Sequence, residues 1–171
     1  QAGSLSDGKL GVVVDTGAPT SLQGKDQYEK YRIRGEPFGF PSEIHDSVDI
    51  HKVRGMGATK WITCDKKAKH PLAVKDWFGV PHFEMYCPYI MPAGGSKMTS
   101  MMGNTELGQK DAVIVCREGQ QFIAFPGSGG FRIQFSPDSK ILPLERTSSG
   151  HLAFECGDHE ALRPKPQSSL W

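Results

Sequence analysis

Apolar positions in this chain come in short runs cut by glycine and proline. "LGVVV" leads from Leu10 to Val14 straight into Asp15, and a continuous β-branched run of this kind predicts a strand buried on both faces that ends at the acid. A turn at Asp7-Gly8 precedes it. Beyond Gly17 the pattern changes. Lys25 to Arg34 has helix-compatible composition, with Tyr28 and Tyr31 one turn apart and Gly35 as a stop, which predicts a short surface helix. The prolines and glycine between Glu36 and Asp49 predict a loop or edge segment, and "VDIHKVRGMGATKWITC" then alternates on both sides of Gly55-Met56-Gly57. That is the pattern of a hairpin with a glycine-rich tip.

Further strands are predicted at 71–74, 82–90 and Ala112 to Cys116. Between the last two lie a flexible "PAGGSK" connection, apolar residues up to Met102, then Gly103 and a short polar turn of helix. "QQFIAFPG", "FRIQF", "KILPLE" and "HLAFEC" have the length and spacing of short antiparallel strands. Past Gly157 the chain is polar and proline-rich, a tail by composition. The segments at 10–17 and 98–103 share one grammar, apolar residues running into a glycine bend.

At 171 residues the chain accommodates one cored domain with attachments. Twenty glycines and 12 prolines against 37% hydrophobic residues favour an all-β protein. Lys plus Arg (20) nearly cancels Asp plus Glu (19), so no strong overall field attracts nucleic acid or an anionic membrane, and nucleic acid is not an expected partner. No apolar run approaches the roughly 18 residues of a membrane span. The four cysteines form no Cys-x-x-Cys pair, which removes zinc ribbons and thioredoxin-type motifs. Reduced thiols in a soluble intracellular protein are the expectation, with the compartment open and two disulfides in any of three pairings still allowed.

Val13 to Ala18, hydrophobic-hydrophobic-Asp-Thr-Gly-Ala, resembles the active-site turn of retropepsin-like aspartic proteases, found in retroelement polyproteins. Two further segments stand in the matching order: "VRGMGATKW" (53–61) looks like the flap, and "MMGNTEL" (101–107) looks like the later apolar-apolar-Gly motif, where the chain passes beneath the catalytic loop into a short helix. The resemblance covers roughly residues 9–117. Residues 118–157 would then be a β-rich extension packed on a 1–117 retropepsin-like domain, with 158–171 as the tail. The extension resembles segments that follow the protease-like domain in some copia-like polyproteins.

The resemblance implies a closed acid-protease-like β-barrel, an aspartic endopeptidase activity, a peptide or polyprotein substrate, and no cofactor or metal. Hydrolysis of this kind needs one carboxylate to take a proton from water while a neighbouring carboxylic acid polarises the carbonyl. Two acids that close share one proton. The chain has one Asp-Thr-Gly, so the second Asp15 would come from a second copy across a two-fold axis. By the same resemblance Thr16 would lock the two loops together, Gly17 would let the backbone bend and its amide approach the acids, and Ala18 would leave room for substrate. Gly55, Met56 and Gly57 would close over an extended peptide, and Met102 with Gly103 would form the supporting motif.

Plainer accounts stand beside these. Asp-x-Gly is a common turn sequence, so Asp15 alone need only be a turn residue. His151, Cys156 and His159 supply three nearby ligands but no fourth for zinc, and His45, His51, His70 and His82 form no ligand pattern. "KWITCDKKAKH" (60–70) could hold phosphates beside a ring, though a solvated strand accounts for it. "PGSGGF" and "AGGSK" read as turns, since neither ends in the Gly-Lys-Ser/Thr of a phosphate loop. The extension occupies the end where small proteases place their dimer strands. It therefore raises an alternative, a domesticated, non-catalytic subunit acting as a structural or binding component of a larger protein assembly.

Overall fold

The computed structural model describes residues 9–55, 59–157 and 159–162. Its elements run β1 (Val13–Val14), β2 (Leu22–Gly24), α1 (Lys25–Gly35), β3 (Glu43–Val53), β4 (Ile62–Lys75), β5 (Pro81–Tyr86), β6 (Tyr89–Met91), β7 (Met101–Met102), α2 (Asn104–Gln109), β8 (Val113–Val115), β9 (Phe122–Ala124), β10 (Glu145–Arg146) and β11 (Leu152–Ala153), with single 3-10 turns at Glu36–Phe38 and His159–Leu162.

The chain is β-rich with two α-helices, and its main sheet has the order β1-β7-β2-β6-β4-β3, with β5 added on β4. β1 and β3 end the sheet and do not pair with each other, so the expected closed barrel is replaced by an open sheet. The physical reason lies in the strand lengths. β1 and β7 are two residues each, too short to carry the tilt and stagger that closure demands, whereas β4 runs 14 residues and is shared among β3, β5 and β6.

Helix α1 lies where the composition predicts it. Asp26 in its first turn and Arg32 and Arg34 in its last complement the helix dipole, and Arg32 bridges Glu29 and Glu36 at 2.9 and 2.7 Å. It buries Tyr28 and Tyr31. Tyr31 joins Tyr86, Met102 and Leu107 in the largest core cluster, and Tyr28 packs with Ala68 and Ile90. Leu22, Cys64 and Met91 form a third cluster, flanked by Met98 and Met101.

The loop or edge segment expected at 36–49 is a 3-10 turn at Glu36–Phe38 followed from Glu43 by β3, the strand at the edge of the sheet, with Glu43 and Asp46 opposite Lys69 and Lys66 on β4. Three expectations change. Residues 71–74 are not a separate strand but the end of β4. The predicted strand at 82–90 breaks at Cys87-Pro88, where proline has no N–H to give a ladder. The run before Asp15 shrinks to Val13–Val14, and Val14 is 40% exposed, so β1 is an edge and not a strand buried on both faces.

β8, near the end of the 1–117 segment, pairs with β9 at the start of the extension, and Ile114, Ile123 and Phe125 pack on the same core as Tyr31 and Met102. "FRIQF" forms no strand, and of "KILPLE" and "HLAFEC" only Glu145, which with Arg146 makes β10, and Leu152–Ala153 pair. Apart from residues 159–162, the polar tail lies outside the described residues, as does the turn at Asp7-Gly8.

Candidate active-site turn

The Asp15 turn is held from its start. Val13 N–H donates to Ser100 O at 2.9 Å and Asp15 N–H to Met102 O at 3.0 Å, the parallel contact of β1 with β7. Ala18 N–H closes the turn on Asp15 O (3.2 Å), and Gly17 N–H donates to Asp15 Oδ1 (2.9 Å). A Cβ at position 17 would stand 3.1 Å from that carboxylate oxygen, so glycine lets its amide approach the acid.

The second glycine motif holds the turn from below. Asn104 N–H donates to Ala18 O at 2.8 Å, its side-chain amide to Thr16 O at 2.6 Å, and Thr105 donates through both N–H (3.0 Å) and Oγ1 (2.8 Å) to Pro19 O. Gly103 makes this approach possible: a Cβ there would meet the Thr20 carbonyl at 2.5 Å and Ala18 O at 2.7 Å. Its N–H donates to Ser21 Oγ (3.1 Å), and that hydroxyl donates to Glu106 Oε2 (2.5 Å) while Glu106 Oε1 accepts from Cys87 N–H (2.9 Å). Glu106 is thus a buried clasp between α2, the chain after the turn and the β5–β6 junction.

Of the residues singled out from sequence, the structure gathers Asp15, Thr16, Gly17, Ala18, Met102 and Gly103 into one unit. Thr16 and Gly17 are exposed at its tip and Asp15 is half-buried, while Ala18 and Met102 are buried. Gly55 is exposed at the end of β3, with open space where a Cβ would go. Met56 and Gly57 lie outside the described residues.

The hairpin that carries Gly55 is nevertheless tied to the turn. His51 Nε2 lies 2.9 Å from Thr20 Oγ1, and the ring stacks on Tyr89 with centroids 4.7 Å apart. Lys67 Nζ also stands 4.7 Å from the Tyr89 centroid. Burial, and then the Lys67 charge, push the His51 pKa down and favour the neutral ring.

A second polar chain runs through the core. His70 is fully buried; Nδ1 lies 2.7 Å from Ser42 Oγ and Nε2 lies 2.7 Å from Gln23 Oε1, whose amide nitrogen donates to Ser100 Oγ at 2.9 Å. Since Gln23 Oε1 can only accept, Nε2 carries the proton and Nδ1 accepts from Ser42. Desolvation pushes the His70 pKa down to about 4. Ser100 passes the connection on, because its carbonyl receives Val13 N–H two residues before Asp15.

Sequence reasoning missed Glu106, His70 and His51. Their partners lie 85, 47 and 31 residues away, and no local pattern points to them.

The extension returns to the same place. The turn between β10 and β11 carries Gly150 at φ +87°, where a Cβ would sit 2.9 Å from Pro19 Cβ. Thr16 and Gly17 stay exposed beside it.

Among the described residues no group of three His, Cys, Asp or Glu is placed to hold a metal ion, and no helix is long and apolar enough to cross a membrane. His151 Nδ1 instead lies 2.8 Å from Ser149 Oγ, and His159 Nδ1 lies 3.1 Å from Gly157 O. The lysines of 60–70 are largely engaged: Lys66 pairs with Asp46 at 2.6 Å, Lys67 covers Tyr89, and Lys69 faces Glu43. All four cysteines are free. Compared with models of protein families, with curated proteins and with solved structures, the chain matches none of them.

Proposed function

We propose that this chain is a retropepsin-like aspartic endopeptidase domain that works as a homodimer on a peptide or polyprotein. The observation that carries the reading is the seating of the Asp15 turn on the Gly103 motif, with Gly17 N–H on the carboxylate and Thr16 free at the tip. That seating fixes the acid without covering it. A second copy meeting the exposed tip would bring its own Asp15 to the first. One carboxylate of such a pair takes a proton from water while the protonated partner polarises the peptide carbonyl. Thr16 would brace the two turns against each other. The β3–β4 hairpin would cover an extended peptide lying over the pair, with main-chain hydrogen bonds holding it.

The test is peptide cleavage at mildly acidic pH by the protein and by its Asp15→Asn variant, with and without an aspartic-protease inhibitor. Cleavage that the inhibitor blocks and the variant lacks is expected. Activity surviving Asp15→Asn would overturn the assignment.

A second reading, a non-catalytic subunit of a larger protein assembly, is favoured by one observation. The extension exposes Ile141, Leu142, Leu144 and Phe154 by 55–69% and folds its β10–β11 turn against Pro19, beside the surface the catalytic partner would need. A strict monomer that binds no inhibitor supports this reading.

A further inference from the structure

The segment from Phe131 to Phe135 alternates like a strand, with Phe131, Ile133 and Phe135 in one phase and Arg132 and Gln134 in the other, yet it pairs with no strand. Among the described residues its backbone N–H and C=O groups make no backbone hydrogen bond. Phe131, Ile133 and Phe135 are 56%, 52% and 54% exposed. Turns bound the segment on both sides, Gly130 N–H closing one on Gly127 O at 2.9 Å and Ser139 N–H the other on Ser136 O at 3.0 Å. Unpaired backbone joined to alternating apolar side chains is a template for another strand.

The order of the side chains selects the strand that fits. Phe-Arg-Ile-Gln-Phe has the same apolar positions read in either direction. In an antiparallel pair of two copies centred on Ile133, each Phe131 faces a Phe135, Ile133 faces Ile133, and each Arg132 faces a Gln134. Opposed aromatics stabilise a strand pair and opposed like charges weaken it. A parallel in-register pair would set Arg132 against Arg132, so charge favours the antiparallel arrangement. That arrangement is two-fold symmetric and closes on itself.

We propose that residues 131–135 pair antiparallel with the same residues of a second copy of this chain, about a two-fold axis through Ile133. A five-residue strand pair alone falls short of the roughly 1,200 Å² of a standard interface. Ile141, Leu142 and Leu144, exposed by 57–69% and following the Ser136–Ser139 turn along the chain, would supply the further apolar area such a dimer needs. The contact uses none of the residues of the Asp15 turn.

Equilibrium sedimentation of the 171-residue chain over a concentration series, with hydrogen exchange read at the amides of 131–135, tests the pairing. A monomer–dimer equilibrium is expected, in which alternate amides of the segment, those that face the partner strand, gain protection as the dimer fills. Phe131→Glu/Phe135→Glu sets like charges against each other at both aromatic positions and should weaken association by about tenfold or more. Phe131→Glu/Phe135→Lys sets Glu against Lys at the same positions and should recover most of that loss. All these side chains are exposed, so the variants keep the fold. Amides that stay unprotected at every concentration overturn the proposal, as do two double variants that associate equally. Association through the Asp15 turn would respond to neither exchange of charge, and loss of cleavage in Asp15→Asn leaves this equilibrium unmoved.

Discussion

Asn104 grips the Asp15 turn twice, its side-chain amide on Thr16 O at 2.6 Å and its backbone N–H on Ala18 O at 2.8 Å. The side chain is the removable half of that grip. Asn104→Ala leaves the Thr16 carbonyl without its donor and opens a small void, and is expected to destabilise the fold by about 1–2 kcal/mol. Urea denaturation measures it. If the turn carries catalysis, kcat should fall further than KM rises, because the acid loses its fixed position while the peptide-binding surface is unchanged. A variant that unfolds and cleaves like the parent contradicts both statements.

Two glycines in one segment should respond in opposite directions. At Gly103 the backbone is ordinary for any residue, with φ −92° and ψ 174°, so the objection to a side chain is space alone. A Cβ would lie 2.5 Å from the Thr20 carbonyl, and backbone in a hydrogen-bonded turn has little room to retreat. Gly103→Ala should therefore destabilise by about 2 kcal/mol or more. Gly108, inside α2, has open space where its Cβ would go, and Gly108→Ala should stabilise by about 0.4–1 kcal/mol through the unfolded chain. Thermal melts of the two variants check the pair, and equal shifts would sink the argument.

Tyr86 occupies the join between β2 and β7. Its hydroxyl lies 2.9 Å from Leu22 O and 3.0 Å from Met101 O, the two residues in register across those strands, and the ring is fully buried. Tyr86→Phe keeps the ring and removes the one O–H that the two carbonyls share, so a loss of about 1–2 kcal/mol is expected with little change in the cooperativity of unfolding. Burial also pushes the phenol well above its ordinary pKa, and the side chain should stay neutral through an alkaline titration of the folded protein. An ultraviolet titration counting all four tyrosines as ordinary would refute this.

What was legible in the sequence was whatever local chemistry decides. The Tyr28–Tyr31 spacing marked α1, the glycines at 55 and 57 marked a hairpin, and the apolar runs ending at Asp15 and Gly103 marked the two bends that meet. Long-range pairing was not legible. β3 begins at Glu43 because Lys69 faces it, and Glu106 is buried because Ser21 and Cys87 reach it from two other parts of the chain. Closure of the sheet also could not be read, since it depends on how many residues β1 and β7 leave free to pair. The alternation at 131–135 shows the converse: a strand pattern yields a strand only where a partner exists, and this chain supplies none among its described residues.

His70 sets a pH dependence whose sign follows from its surroundings. Tyr31, Tyr28 and Tyr86 ring it at centroid distances of 5.0, 5.3 and 6.0 Å, and its nitrogens are engaged by Ser42 and Gln23, all uncharged. The folded state therefore resists the second proton, holding the pKa at about 4 against 6.5 for a free imidazole. Above pH 6.5 both states are neutral at this site and its contribution is fully present. Between 6.5 and 4 the unfolded chain takes a proton that the folded one refuses, so stability falls as pH falls; below about 4 both are protonated and the loss stops growing. The whole difference corresponds to about 3 kcal/mol. His51, also held low, adds a pH dependence of the same sign, so the informative quantity is the parent's stability minus that of His70→Gln at each pH. That difference should shrink from pH 7 to pH 4, because the glutamine variant loses hydrogen-bonding quality but has nothing to titrate. Because Gln23 and Ser100 carry the same chain of hydrogen bonds to Val13, hydrogen exchange at Val13 and Asp15 should accelerate over the same pH window, after correction for intrinsic rates, in the parent and not in the variant. Parallel stability curves for parent and variant across this range would remove His70 as their cause.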